Sequence, residues 1–134
     1  MIQNKIVIHY QDGRLVKGIT NDFFPNKDSF HLVPADATPG TTPLDVRVPE
    51  LKAVFFVRNF DGNSRYDDIK EFDPAKNLIG RKLKVAFKDG ELMVGVTNGY
   101  EPSRPGFFLS PADTKSNIER CFVVTKATRE VSFI

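Results

Sequence analysis

The side chains best suited to act as base, nucleophile or metal ligand near neutral pH are His9, His31 and Cys121, the only histidines and the only cysteine among 134 residues. An imidazole titrates in the physiological range and a thiolate is a strong nucleophile, so these positions are where acid–base or covalent chemistry would begin. Their surroundings match no nucleophile motif. A zinc site needs several convergent ligands, and two separated histidines with one cysteine do not supply them. No glycine-rich phosphate loop is present. Each histidine sits on the polar side of an alternating apolar segment, which reads as a surface or interface position. The expectation is a non-enzyme without a cofactor.

The other available chemistry is anion binding. Arg81, Lys82, Lys84 and Lys88 lie close together in sequence, and Tyr100 offers a ring on which a base could stack. Against this, 19 Lys and Arg face 17 Asp and Glu, a formal net charge of +2. Proteins that track phosphate backbones concentrate positive charge, because counterion release drives their binding. The balance by segment is zero over residues 5–57, zero over 58–81 and +2 over 82–134. A solvated strand face is the favoured account of the basic patch.

The elements that would position these groups are strands. Apolar residues make up 40% of the chain, and nine Gly, nine Pro and twelve Phe with no Trp indicate a turn-rich β protein. The longest apolar run, Ala53 to Val57, is strand-sized, far below the roughly 20 residues of a membrane helix. Met1 to Lys5 lead directly into Ile6-Val7-Ile8, which leaves no room for a cleavable leader. A cytoplasmic location is expected.

Residues 5–57 align without gaps on residues 82–134 at a constant displacement of 77 positions. Identical pairs include Asp12/Asp89, Gly13/Gly90, Leu15/Leu92, Gly18/Gly95, Thr20/Thr97, Pro34/Pro111, Ala35/Ala112 and Asp36/Asp113. A tandem repeat accounts for this. Within each copy, Ile6, Ile8 and Tyr10, or Leu83, Val85 and Phe87, alternate at period two and predict half-buried strands. Asp-Gly supplies the positive φ of a tight hairpin. Gly18 and Gly95 fall inside the second strand, where glycine marks a bend or a close backbone approach. Further strands are expected at Ser29 to Val33, Leu44 to Val48 and Ala53 to Val57, with counterparts at Gly106 to Ser110, Cys121 to Thr125 and Glu130 to Ile134. Five short strands per copy predict a small SH3-like or OB-like barrel. Tyr66, Ile69 and Phe72 fall at helical spacing behind a Ser64 cap, so a short helix is expected around Arg65 to Phe72.

The resulting organisation is a β repeat at 1–57, a linker at 58–81 and a second β repeat at 82–134. Cys121 aligns with Leu44 and reads as a small core residue. On the strand face opposite the expected core lie Val7, His31, Phe55 and Val57 in one copy, and Phe108 and Ile134 in the other. Val94 joins them if the bend at Gly95 turns it outward. Several of these are apolar where an isolated barrel would be polar, so they form a candidate interaction surface, between the copies or with a partner.

Leu83-Lys84-Val85-Ala86-Phe87-Lys88-Asp89-Gly90, then Gly95, then Phe107 to Asp113, resembles the Sm-like barrel family, as do Ile6 to Gly18 and Phe30 to Asp36. Val54 to Val57 with Arg58-Asn59 is similar to the family's last strand and basic loop. The resemblance implies an all-β chain of two tandem five-stranded SH3/Sm-like barrels. The family's RNA pocket does not carry over: Ser29 or Phe30, and Gly106 or Phe107, stand where it has Asn, and Arg58 is followed by Asn59 rather than Gly. The chain is also similar to uncharacterised bacterial β-domain repeats associated with PilZ-type signalling proteins, without the PilZ cyclic-dinucleotide motif. The expected role is a binding or regulatory module that recognises a protein partner or self-associates through barrel edges. The alternative is Sm-like RNA or nucleotide binding. No membrane role is expected.

Overall fold

Alternation of Ile6 and Ile8 with Lys5 and Val7 builds β1 (Asn4–Tyr10), and Asp12-Gly13 returns the chain into β2 (Leu15–Thr20). The computed structural model describes residues 3–60, 79–113 and 116–134. The first half continues with β3 (Ser29–Pro34), β4 (Leu44–Arg47), a 3-10 turn at Val48–Glu50, and β5 (Leu51–Val57). The second half comprises β6 (Arg81–Phe87), β7 (Leu92–Thr97), β8 (Gly106–Pro111), β9 (Ile118–Val124), a 3-10 turn at Thr125–Ala127, and β10 (Thr128–Phe133). The expected helix around Arg65 to Phe72 lies outside the described residues.

Matching positions of the two halves behave alike. The limits of β1, β2 and β3 recur at a displacement of 77 residues in β6, β7 and β8. Gly13 and Gly90 have φ of 96° and 97°, the left-handed conformation that the Asp-Gly turn requires. At Gly18 and Gly95 the reason for glycine is close approach. A Cβ there would collide with the carbonyl oxygen of Val33 or of Ser110 on the neighbouring strand. Each loop before the third strand is clipped to its 3-10 turn by one backbone bond, Val48 N–H to the Asp28 carbonyl and Thr125 N–H to the Pro105 carbonyl, both 2.9 Å.

Among the described residues the strands form one open antiparallel sheet of ten, in the order β10-β6-β7-β8-β9-β5-β1-β2-β3-β4. The halves join where β5 pairs with β9, with Ala53 opposite Val123 and Phe55 opposite Cys121. This junction explains why every residue from Leu51 to Val57 is buried. Strand side chains alternate between faces, so a strand that is apolar on both sides needs two cores. Ala53, Phe55 and Val57 enter a cluster with Leu83, Val85, Phe87 and Cys121 of the second half. Val54 and Phe56 enter the other cluster, with Ile6, Ile8, Phe30 and Leu32, which β9 completes with Phe122 and Val124. Cys121 is fully buried while Leu44, at the matching position, is 44% exposed, because β9 lies inside the sheet and β4 at its edge.

Candidate functional site

Two loops that the backbone clips hold in place meet across the junction. Residues 21–28 connect β2 to β3, and residues 98–105 connect β7 to β8. Between them lies a cavity of about 720 Å3, walled by Pro25 and Asn26 on one side and by Asn98, Arg104 and Pro105 on the other. Its floor includes Phe122 and the half-buried Phe108. Thr97 Oγ1 donates to the Phe108 carbonyl at 2.7 Å, which ties the rim to the floor. A second depression of about 400 Å3 shares Arg104 and Pro105 and adds Pro49, Pro102, Asp28 and Lys126. Thr125 Oγ1 donates to the Arg104 carbonyl at 3.1 Å, so the shared wall is anchored to the 3-10 turn. The two depressions together carry Arg104 and Lys126 against Asp28.

An aromatic cluster supports the floor. The Phe23 ring lies 5.1 Å from Phe30 and Phe122, 5.7 Å from Phe56 and 6.1 Å from Phe108, all edge-on. Edge-to-face pairs set the positive rim of one ring against the negative face of another. The Arg120 guanidinium lies 4.3 Å over Phe56 and 4.6 Å over Phe108. Phe23 and Arg120 bridge the two halves, and the sequence reading passed over both. The available signal was that Phe23 aligns with Tyr100, an aromatic residue at matching places in two loops.

The residues expected to form an interaction surface separate into two groups. Val7, Phe55 and Val57 are buried in the second-half core cluster and belong to no outer face of the chain. Their apolar character serves the contact between the halves. His31 and Ile134 are exposed, whereas Val94 and Phe108 are half-buried. Only Phe108 of this set reaches the loop cavity.

The basic patch is likewise dispersed. Arg81, Lys82 and Lys84 are exposed on β6, but Lys88 follows its far end, roughly 20 Å from Lys82 at about 3.3 Å per residue. The Tyr100 ring packs edge-on against Phe107 at 4.8 Å and Phe133 at 5.7 Å, joining the second-half apolar cluster rather than standing free for stacking. Arg81 covers the same Phe133 ring at 3.8 Å.

The histidines occupy opposite electrostatic settings. His9 packs edge-on against Phe55 at 4.6 Å. Burial pushes its pKa down, and the neighbouring Lys52 pushes it further. His31 Nδ1 lies 2.7 Å from Asp22 Oδ2, and the Asp22 hydrogen bond and charge raise its pKa. Burial pushes the Cys121 thiol far up, so it stays protonated. Among the described residues no three His, Cys, Asp or Glu side chains converge as a metal site.

Fold and cavity together define an all-β chain, one open ten-stranded antiparallel sheet whose two halves meet over a loop-walled groove. The chain belongs to DUF6982, a family of unknown function whose model matches residues 2–134. No curated protein and no solved structure matches it significantly. Among the described residues no helix is long and apolar enough to cross a membrane.

Proposed function

We propose that the chain is a non-catalytic cytoplasmic binding module, a tandem pair of small SH3/Sm-like barrels that recognises an extended segment of a protein partner. The observation that carries this reading is the groove shared by the two loops across the junction. Its walls are backbone-clipped, so little ordering entropy is lost when a ligand docks. Proline walls and the Phe108 ring favour an extended, partly apolar segment. The excess of Arg104 and Lys126 over Asp28 favours one that also carries acidic side chains. The tandem-barrel reading draws support from strand order, which runs fifth, first, second, third, fourth within each half.

Panning a phage-displayed library of random peptides against the chain tests this. Enriched peptides should combine proline or aliphatic residues with Asp or Glu. Their binding should fall about tenfold or more in Arg104→Glu, the scale of a lost charge-assisted contact plus a new repulsion. Peptides that bind Arg104→Glu equally well, or that perturb amides outside residues 21–28 and 98–108, would refute the assignment. RNA binding abolished by Lys82→Glu with Lys84→Glu would replace it with the nucleic-acid alternative.

A further inference from the structure

The wall of the loop cavity carries a reactive pair of residues. Asn98 is the one asparagine of the chain followed by glycine. Both residues are exposed, lie just past the end of β7 and line the cavity. An asparagine side chain holds its carboxamide carbon near the backbone nitrogen of the next residue, and a reaction within one chain gains from that proximity. Most residues hinder the approach with a Cβ, which glycine lacks. The Gly99 N–H is bound to no neighbouring strand. It donates to Thr97 Oγ1 at 3.3 Å, beyond the usual range of about 2.7–3.2 Å. Among the described residues no hydrogen bond holds the Asn98 side chain. The matching pair in the first half is Asn21-Asp22. There the second residue carries a side chain, which accepts from the His31 N–H at 2.9 Å and from Thr20 Oγ1 at 3.1 Å. Only the second loop therefore has the unhindered pair.

We propose that Asn98-Gly99 is a self-modifying site, at which the chain's own backbone and water convert the asparagine to aspartate and isoaspartate and place a carboxylate on the groove wall. The Gly99 nitrogen forms a bond to Asn98 Cγ, and the bond from Cγ to the side-chain nitrogen breaks. That nitrogen leaves as ammonia, taking the proton of the Gly99 N–H. Water then opens the five-membered imide at one of its two carbonyls, giving aspartate or its isomer. Neither a metal nor an oxidant enters the balance. The product acid is ionised at pH 7. Arg104 lines the same cavity, and the new anion there repels an acidic ligand. That consequence rests on the peptide reading of the groove; the conversion itself does not.

The test ages the intact chain in neutral buffer. Conversion is followed by peptide mapping with mass spectrometry, by released ammonia and by labelling with an isoaspartate methyltransferase. It should collect at Asn98 ahead of every other asparagine and run faster in mildly alkaline buffer. Gly99→Ala should slow it severalfold or more. That variant keeps the fold, because a Cβ at Gly99 meets nothing within 4 Å and the residue is not in the left-handed region. Fresh Asn98→Asp and fully aged parent protein should both bind acidic peptides selected on fresh protein about twofold to fivefold more weakly, the scale of one exposed like-charge contact. Asn26, exposed on the facing wall and followed by lysine, is the internal control. Conversion no faster at Asn98 than at Asn26, or as fast in Gly99→Ala as in the parent, would overturn the proposal. Conversion at Asn98 with peptide affinity unchanged would uphold the chemistry and count against the groove as the peptide site.

Discussion

Lys52 offers the sharpest test of how the two halves are held together. Its ammonium is 2.7 Å from Asp89 Oδ2 and 2.5 Å from Glu91 Oε1, across the junction, and lies 4.7 Å over the Phe87 ring. Lys52 is only 8% exposed, whereas the Asp89 and Glu91 side chains are 53% and 46% exposed. Burial pushes the Lys52 pKa down, but the two carboxylates outweigh it and hold the pKa above its ordinary value. In the first half the matching turn closes on itself, with Asp12 bonded to Arg14 at 2.8 Å. In the second half Glu91 stands at the Arg14 position, so both carboxylates are free to turn to Lys52. Breaking a fully buried pair costs about 3–5 kcal/mol, and an exposed one about 0.2–1 kcal/mol. With a buried cation and half-exposed anions that can rehydrate, Lys52→Met should cost about 1–2 kcal/mol at pH 7. At an m-value near 2 kcal/mol/M this lowers the urea midpoint by roughly 0.5–1 M. The Lys52 hydrogen bond depresses the Asp89 pKa. A depressed carboxylate contributes stability above its unfolded pKa, about 3.9, and loses it as pH falls through the folded value. The gap between the parent protein and Lys52→Met should therefore narrow below about pH 4. An unchanged midpoint at pH 7, or a gap that persists undiminished in acid, would refute the argument.

Three further outcomes follow from the same geometry. In an NMR titration His9 should show a pKa below 6.5 and His31 one above it. The signs of their stability terms are opposite. The His9 contribution is complete above 6.5 and lost as pH falls through its lowered pKa, whereas the His31 contribution is present below 6.5 and lost as pH rises through its raised pKa. Asp22→Asn should bring His31 back toward 6.5 and leave His9 unmoved, since Asp22 is the main cause of the His31 shift. Gly95→Ala should cost about 2 kcal/mol or more, because its Cβ meets the Ser110 backbone, and Gly90→Ala about 1 kcal/mol from its positive φ alone; thermal melts of the two variants, ranked in the opposite order, would contradict this.

Much of the strand framework was legible in the sequence. Asp-Gly pairs announce both hairpin turns because the positive φ is a local demand. Gly18 and Gly95 announce close approach because the collision is with the next strand in order. What escaped depends on which distant strands meet. Phe55 and Val57 read as an outer apolar face until β9 pairs with β5 and makes that face a second core. The Lys52 cluster joins residues 37 and 39 positions apart, beyond any local pattern. The bulge that leaves Glu119 without a partner opposite Phe56 and Val57 has no signature in Glu119-Arg120 itself. Tyr100 offers a ring for base stacking when only the sequence is considered, but the sheet brings Phe107 and Phe133 against it.

Equivalent strands in different surroundings explain why the sheet stops at ten. β5 and β10 end their halves at matching positions, yet β5 reads Leu51-Lys52-Ala53-Val54-Phe55-Phe56-Val57 and β10 reads Thr128-Arg129-Glu130-Val131-Ser132-Phe133. β9 and β4 diverge in the same way. β9 runs seven residues through Cys121 and Phe122, whereas β4 keeps four, carries Asp45 and Arg47, and is preceded by Pro43. The apolar strands are the pair that meet inside the sheet, and the charged, shortened strands are its two edges. Short strands, charges and a proline are the devices that blunt an exposed edge against further pairing. A second chain adding to β4 by the β5–β9 register would set Arg129 opposite Arg47, a like-charge pair that opposes the contact. The same ladder geometry is thus favoured once, at the junction, and disfavoured at the ends. That asymmetry makes the junction, with its loop-walled groove, the place where the two halves are specialised for each other.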